Sequence, residues 1–201
     1  IITPFHTDGS IDYDKFGEVI EQQIANQTDA IIVCGTTGEF SSLAIDERKL
    51  ILEKWLVSAR KRFKVIAHVG SNCQRSAMEL ARHAAQVGAD AIASIAPSFF
   101  KPGTVDELVD FFAPICHSAA GLPFYYYNMP SITGVNLPVD KFLVEGKKKI
   151  PNLVGTKFTH NNLMEMGVCI ELEQHRFEVL HGYDEILISG LAMGAVAGVG
   201  S

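Results

Sequence analysis

The sequence predicts an α/β chain whose parallel strands close as a (β/α)8 TIM barrel, and three observations carry that expectation. Short β-branched or aromatic runs recur along the chain, stretches of helical period separate them, and the two kinds of segment alternate throughout. Each helix then serves as a crossover, which makes consecutive strands parallel. Eight such units most naturally close into a barrel; a doubly wound open sheet is the competing arrangement.

The expected strands are residues 1–3, 30–34, 65–69, 91–95, 123–127, 153–157, 177–181 and 195–201. Among the helices, Phe16, Val19, Ile20 and Ile24 make one apolar stripe, and Leu52, Trp55, Leu56 and Ala59 a second. Ala77, Leu80, Ala81 and Ala84 make a third, at i, i+3, i+4 and i+7. Thr104 with Glu107 reads as a capping box that opens the next helix. Pro114 falls inside that helix, where a proline loses a hydrogen bond and clashes, so a kink or early break is expected near Phe112. Residues 139–145, 162–172 and 184–193 complete the helical set.

Composition bounds the function classes. The chain has 201 residues, 47% hydrophobic and 20% charged, which suits one sizeable core and argues against a disordered segment. No run of about 18 uncharged apolar residues exists, so no membrane span is expected. A net charge of −6 and a pI of 5.6 give no electrostatic reason to bind nucleic acid or an anionic membrane. The basic clusters Arg60-Lys61-Arg62 and Lys147-Lys148-Lys149 sit where helices end, as the helix dipole favours. Cys34, Cys73, Cys116 and Cys169 are too widely spaced for a zinc site and too few for a disulfide scaffold, and the compartment they imply is a reducing cytosol. The seven histidines show no metal-like spacing, and none is assigned a catalytic role. The chain starts at Ile1 within an apolar run and stops at Gly200-Ser201, against about 250 residues in a typical barrel. Residues 1–201 are therefore expected to be a single barrel domain truncated at both ends, lacking the start of the first strand and the last helix.

The strand ends carry the chemistry. Gly35-Thr36-Thr37-Gly38-Glu39 follows the strand at 30–34; its glycines permit a tight turn and two hydroxyls sit between them, which makes a small anion cradle. A hydroxyl-rich turn without a ligand is the competing reading, and a P-loop is excluded because no Lys-Ser/Thr pair follows. Tyr125-Tyr126-Tyr127-Asn128-Met129-Pro130 ends another strand, with Tyr125 and Tyr127 on one face and Tyr126 on the other. A tyrosine at a barrel mouth suits proton transfer, although packing is the more frequent reason for such a run. Leu153-Val154-Gly155-Thr156-Lys157-Phe158 places a lysine at the end of an apolar strand. Burial disfavours the charged form of an amine, which is the requirement for a Schiff-base nucleophile; a lysine reaching solvent or a carboxylate is the alternative. Gly182-Tyr183-Asp184-Glu185 opens a helix, where the dipole alone would favour acids, and Gly198-Val199-Gly200 is an incomplete glycine motif.

Together these residues resemble the pyruvate-dependent class I aldolase family of N-acetylneuraminate lyases and dihydrodipicolinate synthases. The resemblance runs over essentially the whole chain: Thr3-Pro4-Phe5, Gly35-Thr36-Thr37-Gly38-Glu39, Tyr127-Asn128-Met129-Pro130 with Thr133-Gly134, and Gly155-Thr156-Lys157-Phe158, in that order. It implies a barrel usually assembled as a homotetramer, with no metal or organic cofactor, and a C-terminal helical extension that this chain lacks. It makes Lys157 the imine-forming nucleophile and Tyr127 the proton relay. Thr36, Thr37 and Gly38 would hold a carboxylate, and Thr159, Gly182, Asp184, Glu185, Gly200 and Ser201 would line the sugar-tail side. Synthases of the family carry an arginine shortly after the Tyr-Asn-x-Pro motif, where Ile132 stands, and a tyrosine where Phe99-Phe100 stands. Gly182-Tyr183-Asp184-Glu185 is similar to the lyase motif, so sialic acid and pyruvate are the substrates implied. Another aldolase of the family, a non-catalytic binding barrel and a phosphate-binding barrel remain the competing readings.

Overall fold

The computed structural model describes residues 1–59, 61–119 and 121–200. Its strands are β1 (Ala30–Val33), β2 (Lys64–His68), β3 (Ala91–Ile95), β4 (Phe124–Asn128), β5 (Leu153–Phe158), β6 (Glu178–His181) and β7 (Ala197–Gly198). They pair in sequence order, each parallel to the next. The intervening helices are α1 (Phe16–Ala25), α2 (Ile45–Ala59), α3 (Gln74–Val87), α4 (Val105–Ser118), α5 (Pro130–Thr133), α6 (Val139–Lys149), α7 (Leu163–Glu171) and α8 (Leu187–Ala192). This is the alternation expected of a (β/α)8 barrel, and all strand C-termini meet at one end.

The sheet curls into an arc of a barrel. Its concave face carries Ile32, Ile66, Ala91 and Ala93, and Val199 from just beyond β7 packs on that same group. One cleft is lined both by Ala30 to Ile32 of the first strand and by Gly198 to Gly200 at the last. The convex face meets the helices in the main core, whose aromatic centre is Phe112 of α4. Its ring lies 5.4 Å from Phe124, 5.5 Å from Tyr126 and 5.8 Å from Phe142, centroid to centroid. A second aromatic contact, Phe16 to Trp55 at 4.7 Å, joins α1 to α2. The apolar stripes of the sequence are these buried faces: Ala77, Leu80, Ala81 and Ala84 of α3 are all buried.

Five expectations change. Residues 1–3 add no strand to the sheet, which has seven strands among the described residues and not eight. A single 3.4 Å contact from the Ile1 amine to the Ile32 carbonyl does not make a ladder, and the Thr3 hydroxyl bonds the Gly38 carbonyl instead. The strand expected over 30–34 stops at Val33, because Cys34 takes a left-handed conformation (φ 55°) that starts the following turn. Helix α4 does not break near Phe112 but runs through Pro114 to Ser118. Buried residues on both sides of the proline, Phe112 before it and Ile115 and Cys116 after it, hold the helix in place across Pro114. The capping box forms in part: Thr104 Oγ1 accepts from the Glu107 N–H, while the Glu107 carboxylate takes the N–H of Gly103. The strand expected over 195–201 is confined to Ala197–Gly198, and Ser201 lies outside the described residues. The triple lysine ends α6 as expected and pairs with Glu173, Glu145 and Asp110.

Because Phe112 has no exposed surface and touches aromatic rings on β4 and α6, truncating it leaves a cavity that three elements would have to close. Phe112→Ala is expected to cost about 3–5 kcal/mol. Urea denaturation checks this as a lowered midpoint at an unchanged slope.

Candidate active site

Parallel pairing sets the site. Lys157 on β5 lies in register with Tyr127 on β4 and with Leu180 on β6. Gly155, two residues earlier on the same strand face, has no room for a side chain: a Cβ there would sit 1.9 Å from the Glu178 carbonyl. Lys157 is only 8% exposed, and its Nζ stands 4.1 Å from the centre of the Tyr127 ring. The Tyr127 hydroxyl is 3.1 Å from Thr36 Oγ1, which also contacts Met129 Sδ at 3.8 Å. One continuous path therefore joins the amine, the phenol and the hydroxyl of the cradle turn.

The turn itself is closed by its own backbone. The Gly38 N–H donates to the Gly35 carbonyl and the Glu39 N–H to the Thr36 carbonyl. Gly38 thus serves the turn with its amide, and Thr36 and Thr37 line the cleft. That cleft has a volume of about 400 Å3 and also takes in Lys157 and Gly200. Gly182 and Thr159 pack directly beside the lysine: a Cβ on Gly182 would lie 2.2 Å from Thr159 Oγ1 and 2.9 Å from Lys157 Cε. Thr159 is 8% exposed, and its buried hydroxyl has no hydrogen-bond partner among the described residues. Asp184 reaches the same region from the turn Asp184–Ile186, since a Cβ on Gly200 would collide with its carboxylate. Glu185 is exposed on the next position of that turn. His181 holds the turn from below: its Nε2 is 2.8 Å from the Tyr183 carbonyl. The structure thus gathers Lys157, Tyr127, Thr36, Thr37, Thr159, Gly182 and Gly200 at one mouth, with Asp184 and Glu185 at its rim.

A buried layer beneath the site escaped the sequence reading. Arg48 of α2 is 4% exposed and His68, at the end of β2, is 3% exposed. The Arg48 guanidinium donates to the carbonyls of His68 (2.7 Å) and Gly70 (2.8 Å). The His68 ring stands edge-on to Phe40 at 4.4 Å and to Tyr127 at 5.8 Å. The Ile95 N–H donates to His68 Nε2 at 3.3 Å, which assigns the proton of the neutral ring to Nδ1. A signal for this layer existed: Arg48 lies four residues before Leu52 and seven before Trp55, a charge on the buried stripe of its helix. Burial pushes the Cys34 thiol up to about 11, against the pull of Arg48.

Burial, reinforced by the Arg48 charge, holds the His68 imidazole well below its ordinary value of 6.5. The unfolded chain takes up a proton below that value while the folded chain refuses it, so His68 costs stability as pH falls through 6.5. The loss is at most about 1.4 kcal/mol per pH unit. Urea unfolding at a series of pH values checks it: His68→Gln is expected to flatten the acid-side slope by about one proton's worth.

The chain and its fold have known relatives. Residues 1–201 match the Dihydrodipicolinate synthetase family. The N-acetylneuraminate lyase of Pongo abelii is 41% identical over 203 aligned residues, covering all of this chain and 63% of the relative. The chain thus spans just under two thirds of the length of that relative. Among solved structures, Proteus mirabilis N-acetylneuraminate lyase superposes with a TM-score of 0.97 at 36% identity, over all of this chain and 68% of that one. A Ruminococcus gnavus sialic acid aldolase, solved as its catalytic lysine mutant, gives 0.93 at 27% identity, over 99% of this chain and 64% of that one. The chain belongs to the dihydrodipicolinate synthetase family.

Proposed function

We propose that this site is that of a Schiff-base aldolase which reversibly cleaves N-acetylneuraminate to N-acetylmannosamine and pyruvate. The observation that carries the reading is the buried Lys157 amine set against Tyr127, whose hydroxyl is bonded to the Thr36 side chain. Binding alone has no need of an amine at a buried strand end, and its pairing with a proton-carrying phenol is what imine chemistry requires. The lyases and the sialic acid aldolase among the relatives support the substrate class.

In this mechanism the substrate carboxylate rests on the Thr36-Thr37 turn. Lys157 attacks the C2 ketone and, with loss of water, forms a protonated imine. The imine is an electron sink, so the C3–C4 bond breaks as the C4 hydroxyl gives its proton to the Tyr127 oxygen while the Tyr127 hydroxyl passes its own proton to the substrate carboxylate, which later returns it to C3; the Thr36 hydroxyl keeps the phenol in place. N-acetylmannosamine leaves as the aldehyde, the remaining enamine takes a proton at C3, and water releases pyruvate from Lys157. Asp184 and Glu185, with Gly182, Thr159, Gly200 and Ser201, take the polyhydroxyl tail, for which adjacent carboxylates are well-matched acceptors. The alternative substrate of the family is an aldehyde bearing its own carboxylate. That reading is disfavoured by Ile132, an exposed apolar residue where a synthase arginine would make a bidentate ion pair. We further place the working enzyme in the cytosol as a homotetramer without a cofactor; the cysteine usage and the family resemblance support this.

Two measurements test the proposal. Incubation with pyruvate and borohydride is expected to reduce the imine onto Lys157, located by peptide mass, and Lys157→Arg is expected to show neither the adduct nor cleavage. An unmodified Lys157 in folded protein would sink the mechanism. Asp184→Ala is expected to leave the pyruvate adduct intact while lowering N-acetylneuraminate cleavage about tenfold or more through a raised KM. An unchanged rate would remove Asp184 from the tail site.

A further inference from the structure

The catalytic reading leaves one costly feature unexplained. Arg48 is a buried guanidinium with no ion pair to a carboxylate among the described residues. Burying such a charge is expensive, and a Leu or Met on this stripe of α2 would pack at no such cost. Its fork instead spans two backbone carbonyls at the C-terminal end of β2, those of His68 and Gly70. Its flat face lies over the Phe40 ring, 5.3 Å from the centroid. Phe40 in turn belongs to the loop that continues from the Thr36-Thr37 turn.

The surrounding contacts all pass through His68. Its ring is trapped between Phe40 and Tyr127, is fixed from β3 by the Ile95 N–H, and is closed over by Gly70, where a Cβ would lie 2.8 Å from the imidazole. The Tyr127 ring is thus contacted by His68 at its edge and by the Lys157 amine over its face. Only the planar, two-pronged guanidinium can bond both carbonyls and stack on Phe40 at once; a lysine reaches one acceptor and stacks poorly.

We propose that Arg48 is a positioning residue for the reaction. By clamping the end of β2 to α2 and to Phe40, it holds His68 against Tyr127 and so keeps the phenol on Thr36, where the proton transfer takes place. The inference rests on the aldolase reading, and it separates two duties. Lys157 can form its imine without the clamp, whereas bond cleavage needs Tyr127 held in place. An ångström of misplacement is enough to lose about a hundredfold in rate in well-oriented reactions.

The experiment compares wild type, Arg48→Met and Arg48→Lys in the active enzyme, with sites counted by pyruvate and borohydride labelling at Lys157. The expected result is that the variants still label, that cleavage per labelled site falls about tenfold or more in Arg48→Met with little change in KM, and that Arg48→Lys recovers part of the loss. A clamp that served stability alone would lower the melting temperature and the number of labelled sites and leave kcat per labelled site at the wild-type value; that result overturns the inference. Should Arg48→Met fail to fold, Arg48→Lys decides by the same ratio. Absence of label on wild-type Lys157 would overturn the aldolase reading and the inference with it, whereas normal labelling with unchanged turnover per site overturns the inference alone.

Discussion

Everything at the mouth of the sheet depends on holding one amine over one aromatic ring. Lys157 is buried at the end of an apolar strand, and among the described residues no ion pair to a carboxylate is formed by its amine. The face of Tyr127 offers the available attraction, about 2 kcal/mol when such a contact is desolvated. The contact is a meeting of adjacent strands, in register at Tyr127 and Lys157. It in turn makes the orientation of the ring a structural requirement. The ring is held at its hydroxyl by Thr36, in the turn after β1, and at its edge by His68, from β2. Residues from β2, β4, β5 and the turn after β1, brought together because the sheet is parallel and curled, therefore share the task of orienting one phenol.

The three consecutive tyrosines of β4 show how closely stability and chemistry are interleaved. Alternation sends Tyr126 outward, where it stacks with Phe112 and Phe142 in the helix-facing core. It sends Tyr127 inward to the lysine, and Tyr125, on the same face, toward Glu178. A slip of one residue would place Tyr126 at the mouth and Tyr127 in the core, with every hydroxyl in the wrong surroundings. The dense aromatic packing around Phe112 thus opposes any slip in the register of β4.

Much of this was legible from the sequence because it rests on local pattern. Helical stripes in α1 to α3 and apolar runs at β2 to β6 are set by periodicity, and the reactive groups fall at strand ends that periodicity locates. Lys157, Tyr127 and the Thr36-Thr37 turn stood out because each departs from the pattern around it. The misreadings have nonlocal causes. Pro114 is accommodated inside α4 because the helix is buried on both sides of it, through Leu108, Val109, Phe112, Ile115 and Cys116. Cys34 leaves the strand because the turn that follows needs a left-handed residue there. Arg48 and His68 were passed over for a different reason. Each is a polar residue on an apolar stripe, but what makes them informative is their mutual contact across 20 residues, which no local window contains.

The two ends of the site are built by different physics, and that bears on how its chemistry and its specificity are divided. At the lysine end, Lys157, Tyr127, His68 and Arg48 are all buried and fixed by contacts from several strands. At the tail end, Asp184 and Glu185 are exposed on a single three-residue turn, located by the absence of a side chain on Gly200 and by one bond from His181 to the Tyr183 carbonyl. A substitution at the buried end disturbs a cooperative cluster, so in the proposed mechanism the imine steps are protected by the cost of altering it. A substitution on the exposed turn changes which hydroxyls or charges are met and disturbs little else. On the proposed reading, the barrel keeps one imine mechanism while a few rim residues set the aldehyde it accepts.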